Sequence, residues 1–344
     1  MRSQLTLQIN LAPTDLPHAR WILPHQLRCW LGQVDEVVLT VDLHRSHNRY
    51  GAAWEQRLPG LRSLLTECCR QHPSVRTHDV DYSPEARAVV AEMFFGGAAV
   101  PAKDRLGAPF YSYFAGLAET ATPYVLHMDS DMLYGGGSQT WAAEARTLME
   151  ARPDVLACNP LPGPPTADGS LRSQSLEREA LPTLAFCAGQ LSTRLFIIDM
   201  ERLRSLAPLP LLHPDAGHSM LARLEGHPPY QPAEASLTRA MAGRGMKRID
   251  FLGAAPGMWA IHPPFRSALF YERLPELVQS VEEGQVPEEQ RGRHDMGDSM
   301  IDWSSARRPR WRRMLTHARL AATGSLGAHR RGAKTSGTPG SPVR

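Results

Sequence analysis

The stretch Glu36 to Leu43, EVVLTVDL, constrains the fold more than any other part of this chain. A near-continuous β-branched run reads as a strand covered on both faces. Neighbouring segments place such strands in alternation with helices. Leu5, Leu7 and Ile9 alternate like an earlier strand, residues 56–71 read as a helix, and Val75–Val80 as a short strand. Residues 108–120 suit a buried helix feeding a strand over 124–128. Apolar residues at Trp21, Ile22, Leu27, Trp30 and Leu31 fit a helix over 19–31 weakly, because Pro24 lies inside it. Repeated β-α-β units of this length argue for an α/β fold with a mostly parallel central sheet and right-handed crossovers.

The second half continues less regularly. Ser138 reads as the N-cap of a helix to about Glu150, and RPDVLACNP gives a strand. Residues 160–185 are rich in Pro, Gly and Ser and read as a long loop. TRLFIIDM (193–200) is strand-like and ERLRSL helical, while 207–233 shows little periodicity. A helix over 234–245 ends at a glycine and leads into the strand MKRIDFL. Trp21, Trp30, Trp141 and Trp259 are expected in the core.

Charge sharpens the picture. The formal net charge of +3 includes ten Lys/Arg and no Asp/Glu from Arg307 onward, which leaves 3 − 10 = −7 for the rest. A mildly acidic body with a basic tail is not the profile of a nucleic-acid-binding domain. The tail beyond residue 306 is expected to be disordered; RRPRWRRM could rest on anionic lipid, with Trp311 at headgroup level, or stay solvated. The five cysteines are scattered, with Cys68 and Cys69 adjacent, which suits neither a disulfide framework nor a zinc site. A reducing cytoplasm is the expected setting, with at most peripheral contact to the inner face of a membrane. The N-terminal SQLTLQIN lacks the apolar core of a signal peptide, and no run approaches a membrane span.

The chemistry concentrates in TPYVLHMDSDMLYGGG, residues 122–137. Asp129 and Asp131 stand where a strand ends, and residues two apart in an extended segment face the same way. Two carboxylates that close repel each other unless a cation lies between them. An all-oxygen ligand pair favours Mg²⁺ or Mn²⁺, which usually shares its shell with phosphate oxygens. Gly135 to Gly137 would let the backbone pass close to a bulky ligand. The other reading is an Asx-turn closing the strand.

YVLHMDSDM resembles the Asp-x-Asp motif of GT-A fold glycosyltransferases, in particular the family 2-like inverting enzymes. LTLQINLAPTD resembles their first strand, and VVLTVDLHRS their second, which puts Asp42 where the family contacts the base or ribose of the donor. PAKDRLGAPFYSYFAGLAET is similar to their basic segment and helix, with Lys103 and Arg105 near the diphosphate. In AEASLTRAMAGRGMKRI, Leu237 and Gly245 keep the family's offsets from Glu234, which takes the catalytic-base position. The usual base is Asp with a Glu before it; here Glu234 follows Ala233. His262 matches a late histidine that some of these enzymes bring to the cation. Asp79 and Asp81 could line the donor pocket, and His213, Asp215 and His218 could bind metal or form an acceptor-side surface.

The resemblance covers roughly residues 5–265. It implies a GT-A domain over 1–305, with a nucleotide-sugar-binding half (1–137) and an acceptor-binding half (138–305), then the basic tail 306–344. The implied activity is metal-dependent transfer of a sugar from a nucleoside diphosphate to a glycan, lipid or small-molecule hydroxyl, with inversion. Two alternatives stand beside it: a sugar-nucleotide pyrophosphorylase and a degenerate GT-A binding domain. NLAPTDLPH after the first strand lacks the Gly-rich, Lys-bearing loop a pyrophosphorylase needs.

Overall fold

The computed structural model describes residues 4–46, 51 and 53–307. The first half runs β1 (Leu5–Leu11), α1 (Leu16–Trp30), β2 (Glu36–Val41), α2 (Trp54–Gln71), β3 (Val75–Asp79), α3 (Pro84–Phe95), α4 (Tyr111–Ala118), β4 (Tyr124–Asp129) and β5 (Leu133–Gly135). Next come α5 (Trp141–Ala151), β6 (Val155–Pro162), β7 (Glu177–Arg178), β8 (Ala185–Ala188), β9 (Leu195–Asp199) and α6 (Met200–Ser205). The chain closes with α7 (Ala216–Leu224), α8 (Ala233–Gly243), β10 (Lys247–Phe251), β11 (Trp259–Ile261) and α9 (Ala268–Glu282).

The sheet order is β3-β2-β1-β4-β9-β6-β10-β8-β7. Strands β3, β2, β1 and β4 are parallel neighbours, and β6 and β10 pair in parallel too. Strand β9 runs antiparallel between β4 and β6. The run EVVLTV is buried from Val37 onward, and β4 shows how both faces are covered. Val125 packs into a cluster with Phe94 and Phe114, whereas Leu126 and Met128 face a second cluster with Leu27 and Trp30. Each such buried aliphatic side chain contributes roughly 1.5–3 kcal/mol. Because β1 has β2 on one side and β4 on the other, the sheet changes winding direction there. The crevice beyond the carboxyl ends of β1 and β4 is the place where α/β sheets gather ligands.

Two local expectations are corrected, and the helix weakly signalled over 19–31 is present. Helix α1 continues through Pro24 from Leu16 to Trp30, held by tertiary packing of Leu23, Leu27 and Trp30. Trp21 is 45% exposed, although Trp30, Trp141 and Trp259 are buried. Helix α5 begins at Trp141, and the Ser138 hydroxyl instead accepts from the Thr140 amide at 3.3 Å. The loop read over 160–185 is entered by the end of β6, which runs to Pro162, holds the two-residue β7, and gives way to β8 at Ala185. Among the described residues no helix is long and apolar enough to cross a membrane. The basic tail from 308 onward lies outside the described residues.

Candidate active site

Asp129 is the last residue of β4, in register with Asn10 on β1. The turn that follows is fixed from outside. Gln26 on α1 donates to the carbonyls of Asp129 and Met132 at 2.9 and 3.0 Å, and the Asp129 amide donates to Arg194 O at 2.8 Å. Ser130 and Asp131 are thereby held buried at the strand end, and the Ser130 hydroxyl lies 3.0 Å from His18 Nε2.

The two carboxylates sit in different surroundings. Asp129 Oδ1 accepts from the Tyr113 hydroxyl at 2.9 Å. Burial first, and the Asp131 charge second, push the Asp129 carboxyl above its ordinary range. Burial also opposes ionisation of Asp131, but Arg266 and then His262 outweigh it and hold that carboxyl below its usual value. Arg266 Nε and Nη2 both donate to Asp131 Oδ2, at 3.1 and 2.7 Å, and its Nη1 donates to Asp15 Oδ1 at 3.0 Å. Asp131 Oδ1 is buried and has no hydrogen-bond partner. A buried acceptor left alone calls for an explanation.

His262 follows β11 and brings Nε2 to 3.7 Å from Asp131 Oδ2. Its backbone is pinned to the 294–296 segment, and its ring stacks on His294 at 6.1 Å. Among the described residues no three His, Cys, Asp or Glu side chains form a complete metal cage. Asp129, Asp131 and His262 are therefore brought into one neighbourhood without making a closed site.

The other expected residues are dispersed. Asp42 follows β2 and is buried; its carboxylate accepts from Lys103 Nζ at 2.6 Å, Tyr82 hydroxyl at 2.9 Å and the His44 amide at 2.9 Å. Lys103 is thus committed to Asp42. Arg105 donates from its amide to Tyr230 O at 2.8 Å and from Nε to Gln231 Oε1 at 3.2 Å, just ahead of α8. Asp79 lies on the edge strand β3, gripped by both terminal nitrogens of Arg62. Asp81 accepts from the Ser83 amide before α3. Asp215 caps α7 and pairs with His218 at 2.7 Å, while His213 Nδ1 lies 2.8 Å from Pro229 O.

Gly135 and Gly136 are required by packing of protein on protein, whereas a Cβ on Gly137 would meet nothing within 4 Å. A Cβ on Gly135 would lie 2.0 Å from the Trp259 ring, and one on Gly136 2.4 Å from the Gly257 carbonyl. They allow β5 to pack against β11 and its approach, and this is close packing of protein on protein.

A cavity of about 1030 Å³ is lined by neither Asp129 nor Asp131 but by neighbours of the site: Arg194, whose carbonyl accepts from the Asp129 amide, and His294, which stacks on His262. Glu234, in the first turn of α8, lines it with Thr238, Asn159, Arg194, Arg248 and His294. Glu234 is exposed, whereas Asn159 Oδ1 and His294 Nδ1 are buried atoms without partners. Arg248 is spent on Asp250 through two contacts of 2.7 and 2.8 Å. Arg194 reaches Asp295 only at 3.8 Å and keeps 44% of its side chain exposed. Arg266, Arg194, Tyr113 and His294 escaped the sequence reading. Arg266 stands four residues after His262, an offset that carries no signal of its own.

The sequence matches no protein-family model and no curated protein. Solved structures match by shape. "Crystal structure of GalNAc-T7 with UDP, GalNAc and Mn2+" gives a TM-score of 0.43 at 11% identity, over 77% of this chain and 44% of that one. A mannosyltransferase, PcManGT from Pyrobaculum calidifontis, in complex with GDP-Man and Mn2+, gives 0.41 at 13%, over 83% and 64%. S. aureus TarS 1-349 gives 0.37 at 12%, over 74% and 60%. The chain thus spans 44–64% of the length of these structures.

Proposed function

We propose that this chain is a GT-A fold glycosyltransferase that moves a sugar from a nucleoside-diphosphate sugar to an acceptor hydroxyl. One observation carries the reading. Two carboxylates stand at the strand end beside the sheet's switch point, Asp131 buried with an unpartnered oxygen and Asp129 with 24% of its side chain exposed, near a cavity that Glu234 lines with Arg194 and His294. A structural turn has no need of Asp131 Oδ1 in that state.

A divalent cation of the Mg²⁺ or Mn²⁺ type fits this pair. Asp131 Oδ1 and Asp129 would hold it, with His262 nearby, and such ions take the rest of their shell from phosphate oxygens and water. Once bound it supplies Lewis-acid stabilisation to a departing diphosphate. Arg194 and Arg266 add positive charge at the same end of the sheet, where it offsets the developing charge of the leaving group. Asp42, locked by Lys103 and Tyr82 at the end of β2, shapes the place proposed for the nucleoside. Arg105 anchors the segment that presents Glu234.

Glu234 takes the proton of the acceptor hydroxyl held in the cavity. Attack in line with the departing diphosphate then inverts the anomeric centre. General-base help of this kind contributes about 10²- to 10⁴-fold in rate. A reducing cytoplasm is the setting proposed for it. The test is hydrolysis of a UDP- and GDP-sugar panel with Mn²⁺. Turnover that disappears in Asp131→Asn supports the reading, and an unchanged rate in that variant refutes it.

A further inference from the structure

We propose that Arg266 holds the place of the divalent cation at Asp131 until a nucleoside diphosphate arrives, so that metal uptake depends on the nucleotide. The identity of that second ligand rests on the glycosyltransferase reading; the competition between arginine and metal does not.

The geometry is unusual for a structural ion pair. A guanidinium that meets a carboxylate normally bridges both oxygens. Here Nε and Nη2 converge on Oδ2 alone, and Nη1 turns away to Asp15 Oδ1 at 3.0 Å. Oδ1 of Asp131 is left buried and bare. The arginine therefore neutralises the acid without using the oxygen a metal would take.

The backbone around Arg266 is anchored on both sides. His262 exchanges backbone hydrogen bonds with the 294–296 segment, and Ser267 caps α9 by accepting from the Phe270 amide at 3.1 Å. Its side chain keeps 35% exposure, so only the side chain has room to shift. Asp15 is itself fixed, its Oδ2 accepting from the Ala12 amide at 2.8 Å. A divalent ion at Oδ1 would face a guanidinium at about 5–6 Å, and at an effective dielectric near 20 that repulsion weakens binding by tenfold or more. The negative charge of a diphosphate removes the conflict by serving both cations.

The test titrates the full chain with Mn²⁺, reading free ion by its paramagnetic resonance signal, alone and with UDP or GDP. The parent is expected to bind Mn²⁺ weakly alone and far better with nucleotide. Arg266→Gln should bind Mn²⁺ alone at least about tenfold more tightly and gain less from the nucleotide. Adding Asp131→Asn to that variant should erase the gain. Asp15→Asn should act in the opposite direction, because the guanidinium charge then falls wholly on Asp131, and it serves where Arg266→Gln does not fold. A folded Arg266→Gln chain with unchanged or weaker Mn²⁺ affinity overturns the proposal, as does a tighter Asp15→Asn chain. A parent chain that hydrolyses no nucleotide sugar defeats the glycosyltransferase reading and leaves these Mn²⁺ shifts to be judged on their own.

Discussion

Lys103→Met isolates the buried pair that closes the end of β2. Lys103 Nζ lies 2.6 Å from Asp42 Oδ2, and the two side chains are only 8% and 6% exposed. Removing one partner of such a pair leaves an uncompensated buried charge, which costs about 3–5 kcal/mol. Asp42 keeps the Tyr82 hydroxyl and the His44 amide as donors, so the lower end applies, about 3 kcal/mol. With an unfolding entropy of about 2.1 cal/mol/K per residue over roughly 300 folded residues, each kcal/mol moves Tm by about 1.6 °C, so the expected fall is about 5 °C. Adding Asp42→Asn removes the stranded charge and should recover at least half of the loss. Calorimetric melting at pH 7, supported by urea titration, measures both. A Tm within about 2 °C of the parent, or a double variant less stable than Lys103→Met alone, contradicts the reasoning. Were Lys103 free to reach a diphosphate, the substitution would instead cut nucleotide affinity with little change in Tm.

Three further outcomes follow from the same coordinates. His25, whose Nε2 accepts from the Tyr134 amide, directs Nδ1 to Glu282, and with Arg28 it holds that carboxyl down to about 2. An acid depressed in the folded state contributes stability above its unfolded value and loses it as pH falls toward the folded one. Tm should therefore drop between the ordinary 4.5 and about 2, and Glu282→Gln should flatten that limb; an unchanged slope contradicts the assignment. Gly135→Ala drives a methyl into the Trp259 ring and should cost about 1–3 kcal/mol in urea unfolding, with altered tryptophan emission. Glu234→Gln, at an exposed position, should leave Tm within about 1 °C and lower turnover by about 10²- to 10⁴-fold. Equal turnover removes Glu234 as the base.

Much of this architecture was legible because its signals are local. The run at 36–43 announced a doubly covered strand, and β2 occupies 36–41 with Val37 to Val41 buried. The helix–strand succession at 108–128 became α4 and β4, and the helix read over 234–245 became α8 from Ala233 to Gly243. What escaped notice depends on distant partners. Strand β9 inserts antiparallel between β4 and β6, a choice made by long-range pairing that periodicity does not encode. The acids at 129 and 131 were visible as a motif, yet the cation nearest to Asp131 comes from 135 residues away. Gly135 packs on Trp259, a neighbour that nothing local in the sequence links to it. Lys103 showed the same limit: its charge was evident, but its commitment to Asp42 depends on a loop closing over 61 residues.

Crystals grown with Mn²⁺ and either UDP or GDP, measured at the manganese absorption edge, interrogate the acidic pair itself. The expected map has one anomalous peak within about 2.0–2.3 Å of oxygens from both Asp129 and Asp131, bridged to the diphosphate. A nucleotide bound with no metal between those carboxylates, or a metal held elsewhere on the chain, would contradict the assignment.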